Sequence, residues 1–390
     1  MKPGLPMLIA MSAIGPIALN IFIPSMPGLA IALGTDYQTA QLTLTFFLVS
    51  LAISQLFVGP VSDRLGRRPV FLAGMCLFIA SSILCAMAGS ITQLIIGRLF
   101  QAAGGCTGIV LARAIIRDLY DRDESASLLG YLTMAMVVAP MIAPTIGGVL
   151  DGWAGWRAGF YVTAILGALV FAVALYKLHE TNLDPDTSSS QVDFFRKSAQ
   201  LLRMPVFLGY ALNSAFGSGI FFAFIAGAPF VVTDVMGGTP RDYGLYFIIV
   251  SIGYMFGNFL SGRYARRAGA NRMMVIGSTV SVLGIALLIT GAFAGLITPF
   301  WLFGSMSVVA ISNGLTIPSA TAGAISVRPD IPGTGAGLSG FFQIGVGALS
   351  TFMVGFFHDG THWPMVGIMA ASGTIAIGFL LLALSSSKGS

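Results

Sequence analysis

Charge is what this chain has least of: of 390 residues only 9% are Asp, Glu, Lys or Arg, against 56% hydrophobic. A soluble domain carries roughly a quarter charged residues, and its surface-to-volume ratio leaves most polar positions facing water. A chain so poor in charge cannot cover a water-facing surface of this size, which excludes a soluble fold and makes lipid the surrounding solvent. Cysteine is scarce too. Cys76, Cys85 and Cys106 all fall inside apolar runs and have the spacing of neither a disulfide framework nor a metal site, so packing is their role. The fifteen carboxylates are missing from the interior of every apolar run. Long polar segments of domain size are missing as well, which excludes a receptor or scaffold built on an exposed domain. No nucleophile with a base, and no metal cluster, falls at one depth, so a membrane enzyme is disfavoured.

What the chain has instead is apolar runs long enough to cross about 30 Å of hydrocarbon. Six lie at Met7 to Met26, Gln41 to Val61, Val70 to Ala88, Leu94 to Ile116, Leu128 to Leu150 and Ala158 to Leu178. Six more lie at Val206 to Val232, Tyr243 to Ser261, Met273 to Phe293, Phe300 to Ala322, Gly335 to Phe357 and Pro364 to Leu384. The runs are continuous, whereas membrane barrel strands alternate and are about ten residues long, so the spacing predicts an all-α membrane protein of twelve transmembrane helices. The 49 glycines suit membrane helices, where Gly is frequent. Met1-Lys2 ahead of the first run resembles a signal peptide, but no small-x-small cleavage site follows, so the run reads as a retained span.

Positive charge is distributed unevenly between the two faces. With the amino terminus in the cytoplasm, Lys2, Arg64, Arg67, Arg68, Arg117, Arg122, Arg196, Lys197, Arg203, Arg263, Arg266, Arg267, Arg272, Arg328 and Lys388 are cytoplasmic, Arg113 and Lys177 sit at cytoplasmic helix ends, and only Arg157 and Arg241 fall on the opposite side. That bias predicts cytoplasmic termini. The net charge of +5 is thus a topology signal and not a nucleic-acid footprint. One long polar stretch, His179 to Pro205, reads as a cytoplasmic linker between an amino-terminal six-helix bundle, 1–178, and a carboxy-terminal one, 206–390. Asp63-Arg64-Leu65-Gly66-Arg67-Arg68 recurs as Gly262-Arg263-Tyr264-Ala265-Arg266-Arg267. Such a repeat predicts two pseudo-symmetric halves with the substrate site near the bilayer midplane.

Three strings carry more specific chemistry. In Gly59 to Pro69, GPVSDRLGRRP, Gly59 permits close helix approach, Asp63 caps the cytoplasmic end of a span, and Arg64, Arg67 and Arg68 anchor the turn to anionic headgroups. In Gly97 to Gly105, GRLFQAAGG, Arg98 is the one charge well inside a span, about 10 Å in at 1.5 Å per residue. A guanidinium stays protonated and is costly in hydrocarbon, so it requires a watery cavity or a partner. In Ala139 to Gly148, APMIAPTIGG, Pro140 and Pro144 remove two backbone donors and bend the helix, and Gly147 and Gly148 allow a tight crossing. A Gly335-x-Gly337-x-x-Gly340 string matches the dinucleotide fingerprint only formally, since no strand precedes it. No cofactor and no metal is expected.

These strings resemble the major facilitator superfamily, and within it the twelve-span drug:proton antiporters of the Bcr/CflA type, over the whole length. The first matches the loop signature G-x-x-x-D-R-x-G-R-R at every defined position; the others are similar to the fourth-helix and fifth-helix motifs. The resemblance implies the two-bundle fold, export of small molecules by alternating access, and a gating role for Gly59, Asp63, Arg64, Gly66, Arg67, Arg68, Pro140, Pro144, Gly147 and Gly148. It also implies that Asp63 engages a basic residue at the end of the fourth helix, here Arg113, and the start of the eleventh, here Gly333-Thr334-Gly335. Many relatives carry an Asp in the first helix, within A-I-D-M-Y-L-P; this chain has Ala18-Leu19-Asn20-Ile21-Phe22-Ile23-Pro24, and Asn20 cannot titrate. Proton coupling then falls to Asp36 or Asp151, to an ionisable substrate, or is absent.

Polar groups at depth, Asn20, Arg98, Gln101, Asn213, Asn313 and Gln343, are the expected substrate contacts. Met134, Phe216, Phe221 and Tyr246 supply an adaptable apolar wall. The expected partners are a small-molecule substrate, a proton and membrane lipids; the expected state is a monomer in a bacterial inner membrane. Two cargoes fit these residues: an amphipathic drug moved by the proton gradient, or an anionic metabolite or drug that balances Arg98.

Overall fold

The computed structural model describes residues 3–182, 191–328 and 331–386, and the side chains of most residues within them; the side chain of Met134 lies outside the described residues. Fourteen α-helices follow one another: α1 (Leu5–Asn20), α2 (Met26–Ala32), α3 (Tyr37–Leu65), α4 (Arg67–Ala86), α5 (Ile91–Leu119), α6 (Arg122–Ala154) and α7 (Arg157–Lys177), then α8 (Gln191–Leu202), α9 (Pro205–Phe230), α10 (Pro240–Ala268), α11 (Ala270–Phe293), α12 (Pro299–Ser326), α13 (Pro332–Phe356) and α14 (Trp363–Ser386). Among the described residues, eleven helical segments are long and apolar enough to cross a membrane. The 33-residue α6 is the other long helix of the first half. Each of the twelve expected spans lies on one of these long segments and overruns its end by two residues at most.

Side chains fix where many helices begin. Asp36, Ser90, Thr239 and Thr298 accept from backbone N–H groups three residues on and so cap α3, α5, α10 and α12. At the other end of α3 and of α10 the chain turns straight into the next helix through a glycine, Gly66 (φ +95°) and Gly269 (φ +79°), in a backbone region that L side chains avoid. These two equivalent turns set the structural repeat four residues away from the register read from the sequence. Asp63 therefore corresponds to Arg266, not to Gly262. The stretch expected as a linker, 179–205, also differs, because its second half is the helix α8. That helix alternates Val192, Phe194, Phe195 and Leu201 with Asp193, Arg196 and Lys197, and it buries Leu201 against Phe207 and Tyr210.

The chain divides into two compact units, Met1–Ser190 and Gln191–Ser390. In the first, α1 packs on α5, α6 and α7, α5 also packs on α3 and α4, and α4 packs on α7. In the second, α9 packs on α12, α13 and α14, α12 also packs on α10 and α11, and α11 packs on α14. Numbered by span within each unit, these are the same six pairings, as a duplicated bundle requires. Side chains such as Ile165, Leu169, Phe259 and Leu283 point outward with more than half of their surface exposed, an apolar exterior that fits lipid and not water.

Small residues bring the helices together. A Cβ on Gly108 would overlap the carbonyl oxygen of Met11, and one on Gly147 that of Ile21, so α5 and α6 both lie backbone to backbone against the first span. Gly59 makes no such approach, since a Cβ there would meet open space. In the fifth span α6 runs as one continuous helix through Pro140 and Pro144, without an interruption. The interruption is in the first span, where α1 ends at Asn20 and a single 3-10 turn, Ile23–Ser25, leads into α2. Pro24 inside that turn supplies no donor to continue the α-helical ladder.

Candidate functional site

The interruption of the first span is where the polar chemistry of the first unit collects. Arg98, on α5, is fully buried. Its Nη1 donates to the carbonyl oxygen of Ala18 (2.9 Å) and to Oε1 of Gln101 (2.6 Å). Gln101 sits one turn along the same helix and is itself held, its Nε2 donating to Ser82 Oγ (2.8 Å) and Thr163 Oγ1 (3.5 Å). The guanidinium packs on the rings of Phe22 and Phe47, with centroids 4.1 and 4.0 Å from Cζ, and Phe160 stands 5.8 Å away. Cation–π contacts of this kind contribute about 2 kcal/mol when desolvated, and they offset part of the cost of burying the charge. Neither Nε nor Nη2 of Arg98 has a hydrogen-bond partner among the described residues. Arg98 therefore does not snorkel to either surface; it is a preorganised donor in an aromatic cage.

Asn20, at the last turn of α1, donates from Nδ2 to the Pro16 carbonyl (2.9 Å), and its buried Oδ1 is unpartnered among the described residues. On the other side of the break, Ser25 hydrogen-bonds Asp151. Asp151 lies one residue beyond the expected span, one helical turn after Gly147, so both face the interruption. Burial pushes the Asp151 carboxyl above the usual carboxylate range, and the Ser25 hydroxyl only partly opposes this. Asp36 is placed differently. It is exposed and accepts from Thr39 N (2.6 Å) as the cap of α3.

The loop between α3 and α4 forms a second polar cluster, and it departs from expectation. Asp63 pairs with Arg67, four residues on, and not with Arg113. Arg67 also bonds Asp118 (2.9 Å) and Ser62 Oγ (2.6 Å), so it is buried in a network and does not reach headgroups. Arg68 donates to the Leu175 carbonyl (3.0 Å), which leaves Arg64 as the exposed arginine of the motif. Arg113 contacts the sulfur of Met136 (3.4 Å). A carboxylate that the motifs do not include completes the cluster: Glu180, just past α7, accepts from the backbone N–H groups of Arg67 (2.8 Å) and Arg68 (3.1 Å) at the start of α4. A Cβ on Gly66 would overlap that carboxylate, so the glycine serves both the turn and the cap.

Burial alone would raise the Glu180 carboxyl, but N–H donors from Asn182, Arg67, Arg68 and Thr181 outweigh it and hold it below the usual range. A depressed carboxyl stabilises the fold above its unfolded pKa and loses that contribution as pH falls through the folded value. Glu180→Ala is expected to lower thermal stability by about 1 kcal/mol at pH 7, as loss of a helix cap does. Scans in detergent should show the gap from wild type shrinking below pH 4.5; a gap that is constant with pH would contradict the cap.

In the second unit the expected residues separate into three groups. Asn213 and Asn313 line one cavity with Ser278, Ser281, Ser312 and Thr316, and Asn213 Nδ2 donates to the Ala376 carbonyl (2.8 Å). The cavity measures about 20 Å³, far below the roughly 300 Å³ of a drug-sized site. Gln343 stands apart, with Nε2 3.4 Å from Ser214 Oγ and 3.3 Å from Thr321 Oγ1. The aromatic residues pack on one another: Phe216 stacks on Phe379 (5.8 Å), Phe221 meets Phe247 (6.4 Å), and Tyr246 meets Phe303 (5.5 Å).

Residues 8–351 match the sequence profile of the Major Facilitator Superfamily. The chain is 32% identical over 381 residues to a protein of Bacillus subtilis named "Uncharacterized MFS-type transporter YdgK", covering 95% of this chain and 93% of that one. It is 31% identical over 386 residues to the "Chloramphenicol resistance protein" of Pseudomonas aeruginosa, covering 96% and 88%. Its fold superposes on the crystal structure of a mutant of the nucleoside transporter NupG with a TM-score of 0.77 at 14% identity, over 97% of this chain and 100% of that one.

Proposed function

The chain belongs to the major facilitator superfamily of transporters, and from that premise we propose that it exports small amphipathic molecules across the bacterial inner membrane by alternating access, driven by protons. The observation that carries this reading is the caged guanidinium. Arg98 presents two nitrogens, Nε and Nη2, without partners among the described residues, beside aromatic rings, in a place where a ligand's acceptor atoms would be held by charge-assisted hydrogen bonds. Such a site suits aromatic, acceptor-rich compounds, and the name of the Pseudomonas relative suggests chloramphenicol as the first probe. Expression in a host stripped of its own efflux pumps tests the proposal: resistance to chloramphenicol or to related aromatic antibiotics is expected, and unchanged susceptibility across such a panel would refute drug export.

Coupling is assigned to Asp151. Burial favours its protonated form, and it touches through Ser25 the turn that follows the end of α1, whose Ala18 carbonyl binds Arg98. Proton state and substrate site then act on one piece of backbone. A second reading rests on the absence of any carboxylate from the hydrogen bonds of Arg98 among the described residues: an anionic cargo would neutralise the guanidinium and require little proton coupling. Preference for carboxylated over cationic substrates separates the two.

The orientation proposed is cytoplasmic termini, from the Lys and Arg asymmetry, with the protein acting as a monomer. Reporter fusions at residue 185 and at the carboxyl terminus should both give cytoplasmic signals; a periplasmic signal at 185 would overturn the topology.

A further inference from the structure

The two turns that join span pairs have the same backbone conformation but differ in how their arginines are balanced. In the first unit the guanidiniums after Gly66 are held inside the protein, that of Arg67 by Asp63 and Asp118 and that of Arg68 by the Leu175 carbonyl. In the second unit the sequence position equivalent to Asp63 is Arg266. Arg263 and Arg267, in the last turns of α10, and Arg272, in the first turn of α11, are exposed. None of the three has a hydrogen bond or ion pair among the described residues. The described carboxylate of α10, Asp242, lies in its first turn, 21 residues from Arg263 and so about 30 Å away at 1.5 Å per residue. This end of the unit is a basic patch with no internal counter-charge among the described residues.

Beside that patch runs an apolar groove of about 320 Å³ between α11 and α14, lined by Asn271, Arg272, Val275, Ile276 and Leu384. Its floor is fixed. Tyr210 Oη donates to Asn271 Oδ1 at 2.6 Å, and Tyr210 belongs to the same buried cluster as Met274 and Leu380. Val275 and Ile276 expose 40% and 50% of their surface along it, and the exposed Arg272 is part of its lining.

We infer that this groove binds an anionic phospholipid, with an acyl chain on Val275, Ile276 and Leu384 and the phosphate on Arg272, supported by Arg263 and Arg267. The apolar lining requires a hydrocarbon chain, which free phosphate lacks. The uncompensated arginines favour a headgroup with net negative charge over a zwitterionic one, whose ammonium finds no described carboxylate at this end. Each basic residue near an anionic headgroup contributes about 1 kcal/mol, roughly fivefold in affinity. The inference rests on the membrane placement of the chain and not on what it transports.

Native mass spectrometry and thermal scans of the full-length protein in detergent, titrated with dioleoylphosphatidylglycerol, dioleoylphosphatidylcholine or inorganic phosphate, test it. Phosphatidylglycerol is expected to bind and to raise the unfolding temperature more than phosphatidylcholine, with no shift from phosphate. Arg272→Gln should weaken phosphatidylglycerol binding about fivefold, and Val275→Trp should weaken both lipids by filling the groove. Arg241→Gln, at the opposite end of α10, should change neither. Equal binding of the two lipids, full retention of phosphatidylglycerol selectivity by Arg272→Gln, or an equal shift from phosphate would each overturn the assignment.

Discussion

Arg98→Ala is expected to lower substrate transport about a hundredfold while leaving the protein in the membrane. The size follows from the hydrogen bonds that the free Nε and Nη2 would give a bound acceptor, each worth roughly 1.5–3 kcal/mol with a charged donor, so that losing two at the lower figure removes about two decades of affinity. Arg98→Lys should recover little, since a point charge reproduces neither the planar fork nor its packing on Phe22 and Phe47. Asn20→Asp places a carboxylate on the same interruption that binds Arg98, and it should weaken anionic substrates and steepen the pH dependence. Initial rates in membrane vesicles, normalised to protein level, check all three. Normal transport by Arg98→Ala would remove the cage from the mechanism.

Asp151→Asn should abolish accumulation against a gradient while preserving substrate exchange, because the amide keeps the shape of the group but cannot carry a proton. Ser25→Ala sharpens the test. The Ser25 hydroxyl lowers the Asp151 carboxyl, so its removal raises that carboxyl further, and the pH profile of gradient-driven transport should move to higher pH. Comparing uphill transport with counterflow across pH 5 to 8 resolves the two effects; a profile unmoved in Ser25→Ala and uphill transport surviving in Asp151→Asn would move coupling to another group.

Much of this architecture was legible in the residues, and what was not has physical reasons. Twelve spans and two halves follow from run length and charge asymmetry, because lipid permits few alternatives to a continuous helix. That Arg98 must have compensation was also readable from its depth. Its partners were not, because Phe22, Phe47 and the Ala18 carbonyl reach it from other helices, and no local spacing encodes such contacts. The pairing of Asp63 with Arg113, implied by resemblance, lost to Arg67, which is four residues away on the same turn and needs no long-range packing. Glu180 escaped notice at a separation of 113 residues, though a lone acid just past a span is itself a cue when a helix start lacks a cap. Reading Gly59 as a crossing point failed for a simple reason: small size permits close approach and does not create it. Asp36 and Asp151 looked alike as periplasmic acids. Only burial against Ser25 tells the coupling candidate from the helix cap.

The central claim joins substrate at Arg98 to proton at Asp151, and substrate-induced proton movement in proteoliposomes tests it most directly. Purified protein is reconstituted with a pH-sensitive dye in the lumen, and the substrate found in the resistance screen is added outside with no imposed gradient. Wild type is expected to give a lumenal pH change that both Arg98→Ala and Asp151→Asn lose, with Asp151→Asn still exchanging labelled substrate. Substrate flux in wild type with no accompanying proton movement would contradict the account and leave an uncoupled transporter in its place.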